Sequence, residues 1–302
     1  MKQLLVDRNN SYRRATILDV GCNKGYFSAG VLNYLAPGFG THSALLHAFH
    51  TVSYPASEAP CGVCQDCKES ATADLAGLSV TPTEAVDVWC VEPSTFHRTA
   101  VTKARDATYG DPASAPVTKG GTTVRWHMVN SAVSNYSGTA NFPVDCPNES
   151  CSLAETAGVA PVNITSVDAF TAEHALPYLD VLKIDTEGFD PAVLAGAYHT
   201  LKQHRAQVLV FEHVAWRTGT SLRQCLDYLE ELHYDCYMDA PRLYKMTGCW
   251  DPRYAEKKWT NVFCVARGGT LEGEIHAMWR ASQAGASAHE HTGWRLRRSQ
   301  QH

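Results

Sequence analysis

The densest chemistry in the sequence lies in two short blocks. Lys183-Ile-Asp185-Thr-Glu187-Gly188 sets two carboxylates two residues apart behind a lysine, and Phe211-Glu212-His213 ends an apolar run on an acid and a base. At the ends of neighbouring strands, Asp185, Glu187, Glu212 and His213 would face one cleft. His213 titrates near neutrality and is the first candidate for a general base. Asp185 and Glu187 would orient a hydroxyl or share a divalent cation, while a buried salt bridge from Lys183 to either is the plainer alternative.

A third block, Asp19-Val-Gly21-Cys-Asn23-Lys-Gly25, follows the β-branched run Thr16 to Val20 and precedes the helical Tyr26 to Leu35. A glycine turn between strand and helix is a ligand site, but a dinucleotide fingerprint needs a glycine where Asn23 stands. The neighbouring carboxylate also disfavours a pyrophosphate. It favours S-adenosyl-L-methionine, which carries a sulfonium and an ammonium and no phosphate. Glu92, closing the run Val86 to Val91, is placed to take ribose hydroxyls. It stands 92 − 25 = 67 residues after Gly25, against about 20 in a compact unit.

Two further patterns compete. Cys61, Cys64 and Cys67 have the spacing of a structural zinc turn, with Cys146, Cys151, His42, His47 or His50 as a fourth ligand; disulfides or free thiols are the alternatives. Tyr198-x-x-x-Lys202 matches the pair of short-chain dehydrogenases, but their glycine turn is missing and Tyr198 falls on the apolar stripe of its helix.

The elements that must hold these residues alternate. Strands are expected at Val86 to Val91, Val124 to Val129, Val181 to Ile184, Val208 to Phe211 and Asn261 to Ala266. One helix opens at Asp190-Pro191 and runs through Leu201, and Ser221-x-x-Gln224 reads as the capping box of the next. The fold class is therefore α/β, a doubly wound and mostly parallel sheet with helices on both faces. Residues 36–85 lack periodicity and read as a Cys-rich insertion after the first helix. Residues 1–267 form one domain, and residues 268–302 a mobile tail with a short helix around Ile275 to Ser282.

In order and spacing these blocks resemble the FkbM-type methyltransferases. The resemblance rests on Ile17 to Gly25, Val91-Glu-Pro93, Val129 to Asn135 with Ser137 to Phe142, Thr165 to Phe170, Asp180 to Gly188, Val193 to Gly196 and Phe211-Glu212. It implies a seven-stranded Rossmann-like sheet and methyl transfer from S-adenosyl-L-methionine to a hydroxyl of a small-molecule or carbohydrate-like acceptor. It places Asp19, Gly21, Asn23, Gly25 and Glu92 around the cofactor, with Asn130 near the adenine. The insertion departs from the family pattern and would serve as a lid or a partner surface. A non-catalytic binding module built on that insertion is the rival reading.

The whole chain narrows the remaining classes. Its 302 residues carry a net charge of -5, which offers no general attraction for nucleic acid or anionic lipid. Eleven cysteines, an odd number, suggest a reduced interior and a cytoplasmic setting. No membrane span or signal peptide is apparent, and a lumenal setting is kept for the case that a leader precedes this start.

Overall fold

The structure is a computed structural model and describes residues 14–36, 39, 42–48, 84–110, 116–143, 151, 153, 158–214, 216–238, 243–256 and 259–284. The expected insertion falls mostly outside these residues, and so do Cys61, Cys64 and Cys67. Its described part includes a short helix, α2 (His42–Ala48), which follows β1 (Ala15–Val20) and α1 (Tyr26–Leu35).

The chain continues through β2 (Ala85–Val91), α3 (Thr95–Tyr109), β3 (Val117–Lys119), β4 (Thr122–Val129), β5 (Ala132–Val133), β6 (Gly138–Pro143), β7 (Val159–Thr165) and α4 (Val167–Glu173). The second half holds β8 (Leu179–Ile184), α5 (Asp190–Ala195), α6 (Tyr198–Lys202), β9 (Ala206–His213), α7 (Leu222–Glu231), β10 (Tyr234–Met238), β11 (Tyr244–Lys245), β12 (Thr260–Ala266) and α8 (Glu272–Ala284).

The main sheet has nine strands, ordered β11-β10-β12-β9-β8-β1-β2-β4-β3. The five central strands β4, β2, β1, β8 and β9 run parallel, and β12 enters antiparallel between β9 and β10. Seven strands were expected. The two additions are short edge strands, β3 of three residues and β11 of two. A Gly120-Gly121 turn folds β3 onto β4, and both glycines hold the positive φ that a tight hairpin requires.

Alternation along the strands divides the core in two. Leu18 and Val20 of β1, Leu182 and Ile184 of β8, and Leu209 and Phe211 of β9 pack on one face with α5 and α7. Ile17, Val181 and Val208 pack on the other with α1 and α3. Each such side chain contributes about 1.5–3 kcal/mol on full burial. Capping by Ser221 and Gln224 starts α7 as the sequence suggests.

The expected helix from Asp190 to Leu201 is broken. At Gly196 a Cβ would lie 2.2 Å from the Ser134 carbonyl oxygen, so the chain turns there against the segment after β5. Asp168 of α4 restarts it: its carboxylate accepts the backbone N–H groups of His199 and Thr200, both at 2.8 Å.

A second sheet, ordered β5-β7-β6, is inserted between β4 and β8. Among the described residues two disulfides with both partners described stand where reduced thiols were expected, while Cys225 and Cys249 are free. Cys236–Cys264 joins directly opposed residues of β10 and β12, and Cys22–Cys90 joins the glycine turn to β2. Sheet register sets Cys236 opposite Cys264, 4.0 Å apart at Cα, and the turn after β1 brings Cys22 within 5.4 Å of Cys90, although 28 and 68 residues separate the pairs in sequence. Among the described residues no helix is long and apolar enough to cross a membrane.

Candidate cofactor and acceptor site

The glycine turn after β1 sits against the start of the loop that follows β8. Gly21 has φ 71°, and a Cβ there would come within 1.8 Å of the Asp185 carbonyl oxygen. Any side chain at Gly21 must therefore push the two loops apart. Asn23 also holds a left-handed conformation, with φ 48°, and its backbone N–H donates to Glu92 Oε2 at 3.0 Å. Ser94 N–H donates to Glu92 Oε1 at 2.8 Å. Two backbone donors thus fix the carboxylate that closes β2, and each oxygen keeps a lone pair for a ligand hydroxyl. Burial raises the Glu92 carboxyl to about 7 against those donors, so a further hydroxyl donor would find a receptive group.

Gly21, Asn23 and Glu92 line a cleft together with Asp185, Thr186 and Glu187. Its far wall comes from the segment after β4 and from the second sheet, through Ser131, Ala132, Val133 and Phe142. Asn130, expected near the adenine, is exposed at the end of β4, and the wall is made by the residues that follow it. Gly25 serves packing: a Cβ there would meet Val101 at 2.7 Å and Trp126 at 3.2 Å.

Asp19 does not reach the cleft. It is fully buried under the turn, where Ser28 Oγ donates to Oδ2 at 2.7 Å and Lys183 Nζ lies 3.2 Å from Oδ1. Lys183 also lies 3.3 Å from Asp185 Oδ2 and donates to the Gly21 carbonyl at 2.8 Å. Burial opposes its charge, but Asp185 and Asp19 more than offset this and hold the ammonium protonated. The buried salt bridge foreseen for Lys183 therefore clamps the glycine turn to β8 and engages Asp19 as well as Asp185.

On the other side of Asp185 the carboxylates crowd. Glu187, at φ 54°, is raised to about 8 by burial and by Asp185, Glu212 and Asp190. Asp190 is the first residue of α5 and does not cap it. Its carboxylate instead accepts from Thr186 N–H and Oγ and from Glu212 N–H, at 3.1, 2.9 and 3.1 Å, tying the two strand ends together. Glu212 is raised to about 7, first by burial and then by Asp185. His213 is half-buried against the Trp216 ring at 4.9 Å, and burial lowers its pKa.

The sequence model of the Methyltransferase FkbM domain matches residues 74–236. This chain belongs to the FkbM methyltransferase family. The matched span of the FkbM domain carries Glu92, Asn130, Asp185, Glu187, Glu212 and His213, while the glycine turn lies outside it and reaches the same cleft because β1 pairs between β2 and β8. No curated protein matches the chain.

Membership implies an S-adenosylmethionine-type methyl donor, and the residues fit one. The cleft wall carries the carboxylates of Glu92, Asp185 and Glu187, and of the cations that act on Glu92, Lys183 is paired with Asp19 and Asp185 while Arg98 donates to Thr95. That is a setting for a cationic, phosphate-free ligand. Among the described residues Asp185 and Glu187 belong to no group of three ligand atoms that lie within 4.8 Å of one another. Among the described residues only Asp235, Glu272 and His276 bring ligand atoms within 4.8 Å of one another. Lys245 and Arg267 already neutralise Asp235 there, at 3.1 and 2.8 Å, which opposes a metal ion.

Sequence reasoning missed His97, a buried residue of the first turn of α3 that lines the cleft, and Phe142 of β6. No periodicity marks either. Tyr198 and Lys202 form a hydrogen-bonded surface pair at 2.8 Å.

Proposed function

We propose that this chain transfers a methyl group from S-adenosyl-L-methionine to a hydroxyl oxygen of a small-molecule or carbohydrate-like acceptor. The carrying observation is the convergence of Gly21, Asn23, Glu92 and the Asp185–Glu187 loop on one acidic cleft within an FkbM fold. When bound, the cofactor supplies an activated electrophilic methyl group, so the protein's work is chiefly to align an acceptor oxygen and accept its proton. Glu92 would hold ribose hydroxyls. Asn23 and the Gly21 turn would shape the floor. Buried Asp19, through Lys183, would position the turn without touching the ligand. The carboxylates at the ends of β8 and β9 would face the acceptor.

Titration calorimetry with S-adenosyl-L-methionine, its demethylated product and NADPH tests this reading. Binding of the first two and not of NADPH is expected, with binding lost in Gly21→Arg at unchanged circular dichroism. Folded protein that binds neither of the first two would refute it.

A further inference from the structure

We propose that Glu212 is the catalytic residue that binds the acceptor hydroxyl and takes its proton, with Trp259 as the positioning residue that aims its carboxylate. This rests on the methyl-transfer reading above and assigns the base to a carboxylate that lies behind the cleft lining, next to Asp185 and Glu187.

Glu212 is anchored at three points. Its backbone N–H donates to Asp190 Oδ1 at 3.1 Å, its carbonyl accepts from Trp216 Nε1 at 2.9 Å, and its Oε1 accepts from Trp259 Nε1. Both the main chain and one carboxylate oxygen are thereby fixed, and Oε2 is left to receive a hydroxyl. Trp259 is 51% exposed, so this anchored pair lies where an acceptor arrives from solvent. Asn261 pairs with Glu212 across β12 and β9, which sets Trp259 just beyond the strand end beside it.

Strand alternation separates the two rivals for the role. Glu212 shares its face of the sheet with Val208 and Val210, as Asp185 shares that face with Val181 and Lys183. His213 shares the opposite face with Leu209 and Phe211 and packs on Trp216. Its buried Nδ1 has no hydrogen-bond partner among the described residues, so nothing there selects its tautomer, as a base of the histidine type requires.

The charged groups that bear on Glu212 are Lys183 of β8 and Asp185 just after it, and Glu212 in turn raises Glu187 and Asp190. Burial first and Asp185 second raise the carboxyl to about 7 against the opposing pull of the Trp259 hydrogen bond and Lys183, a basicity suited to proton uptake near neutrality. In the step, Glu212 Oε2 takes the hydroxyl proton while the acceptor oxygen bonds the methyl carbon, leaving sulfur with the electron pair of the broken carbon–sulfur bond. A methyl ether, a neutral thioether and a protonated Glu212 result, and Glu212 then returns the proton to water.

Two measurements on the full chain test this. Tryptophan fluorescence titrated against pH should show a step centred near 7, absent in Glu212→Gln and in Trp259→Phe, both folded by circular dichroism. Calorimetry should show that preference for S-adenosyl-L-methionine over its uncharged-sulfur product rises with pH. At about pH 8 that preference should drop at least threefold in Glu212→Gln and stay unchanged in His213→Gln. In Trp259→Phe, which removes a donor that holds the carboxylate charged, its midpoint should move to higher pH.

A fluorescence step that persists in Glu212→Gln would overturn the assignment. So would a ligand preference indifferent to Glu212 but lowered in His213→Gln. Absence of both ligands' binding in folded protein would overturn the methyl-transfer reading, and the catalytic role with it.

Discussion

Glu92, Glu187, Asp190 and Glu212 all have carboxyl groups raised to about 7 or 8, with burial as the first cause of each. A group whose folded pKa exceeds its unfolded one binds protons more tightly when folded. Its stabilising contribution is complete below about 4.5 and declines as pH rises through the folded value. The ligand-free protein should therefore lose thermal stability between about pH 5 and pH 8. A cationic methyl donor should restore more of it at the upper end than at the lower. Differential scanning fluorimetry across that window measures both effects, and a flat profile would contradict the charge crowding described here. The residue types of this cluster were legible in the sequence. Their raised basicity was not, because it depends first on burial in the folded chain and, for Glu212, then on the approach of Asp185, which follows a different strand.

At the scale of elements, strands buried on both faces were the most legible, since short apolar and β-branched runs such as Val208-Leu-Val-Phe211 leave little alternative. The second sheet was not. β7 is exposed at Pro161 and Asn163, and β5 is two residues long, so neither carries an apolar run to read. The break between α5 and α6 was hidden for another reason. Val193, Leu194, Ala197 and Leu201 keep helical spacing across it, and only the carbonyl of Ser134 beside Gly196 forces the turn. Gly196→Ala should accordingly cost about 1–3 kcal/mol through displacement of that segment. Because the same segment continues from the cleft wall at Ala132 and Val133, cofactor affinity should fall as well. Asp168→Ala provides the contrast. It removes the acceptor for His199 and Thr200 on the outer side of the same turn and should cost about 1–2 kcal/mol, with cofactor affinity preserved. Chemical denaturation paired with calorimetry separates the two, and equal losses of affinity would show that the turn acts as one rigid unit.

Across the whole molecule, the chemistry gathers at the ends of β1, β2, β8 and β9, while the outer strands are held together by a different device. Asp235 of β10 is 2% exposed, and its carboxylate binds Lys245 of β11 at 3.1 Å, Arg267 just after β12 at 2.8 Å and His276 of α8 at 2.8 Å. One buried acid thus joins four segments at the sheet edge, and hydrogen bonds from Arg267, Lys245 and His276 hold its pKa down against the burial that would raise it. Sequence spacing could not show this, since the partners come from residues 245, 267 and 276 and meet only when β12 inserts between β9 and β10. The partners are partly solvated, so the cost of breaking the group is smaller than for a fully buried ion pair. Asp235→Asn should lower stability by about 1–3 kcal/mol and leave the affinity for S-adenosyl-L-methionine unchanged. Because the folded pKa of Asp235 lies below its unfolded value, the wild-type advantage over the variant should be present above about pH 4 and vanish as pH falls further. Urea denaturation of both proteins at several pH values measures this. A loss of cofactor affinity in Asp235→Asn would mean that the edge strands and the cleft are coupled, and that β12, which carries Trp259 at its entry, transmits the disturbance to Glu212.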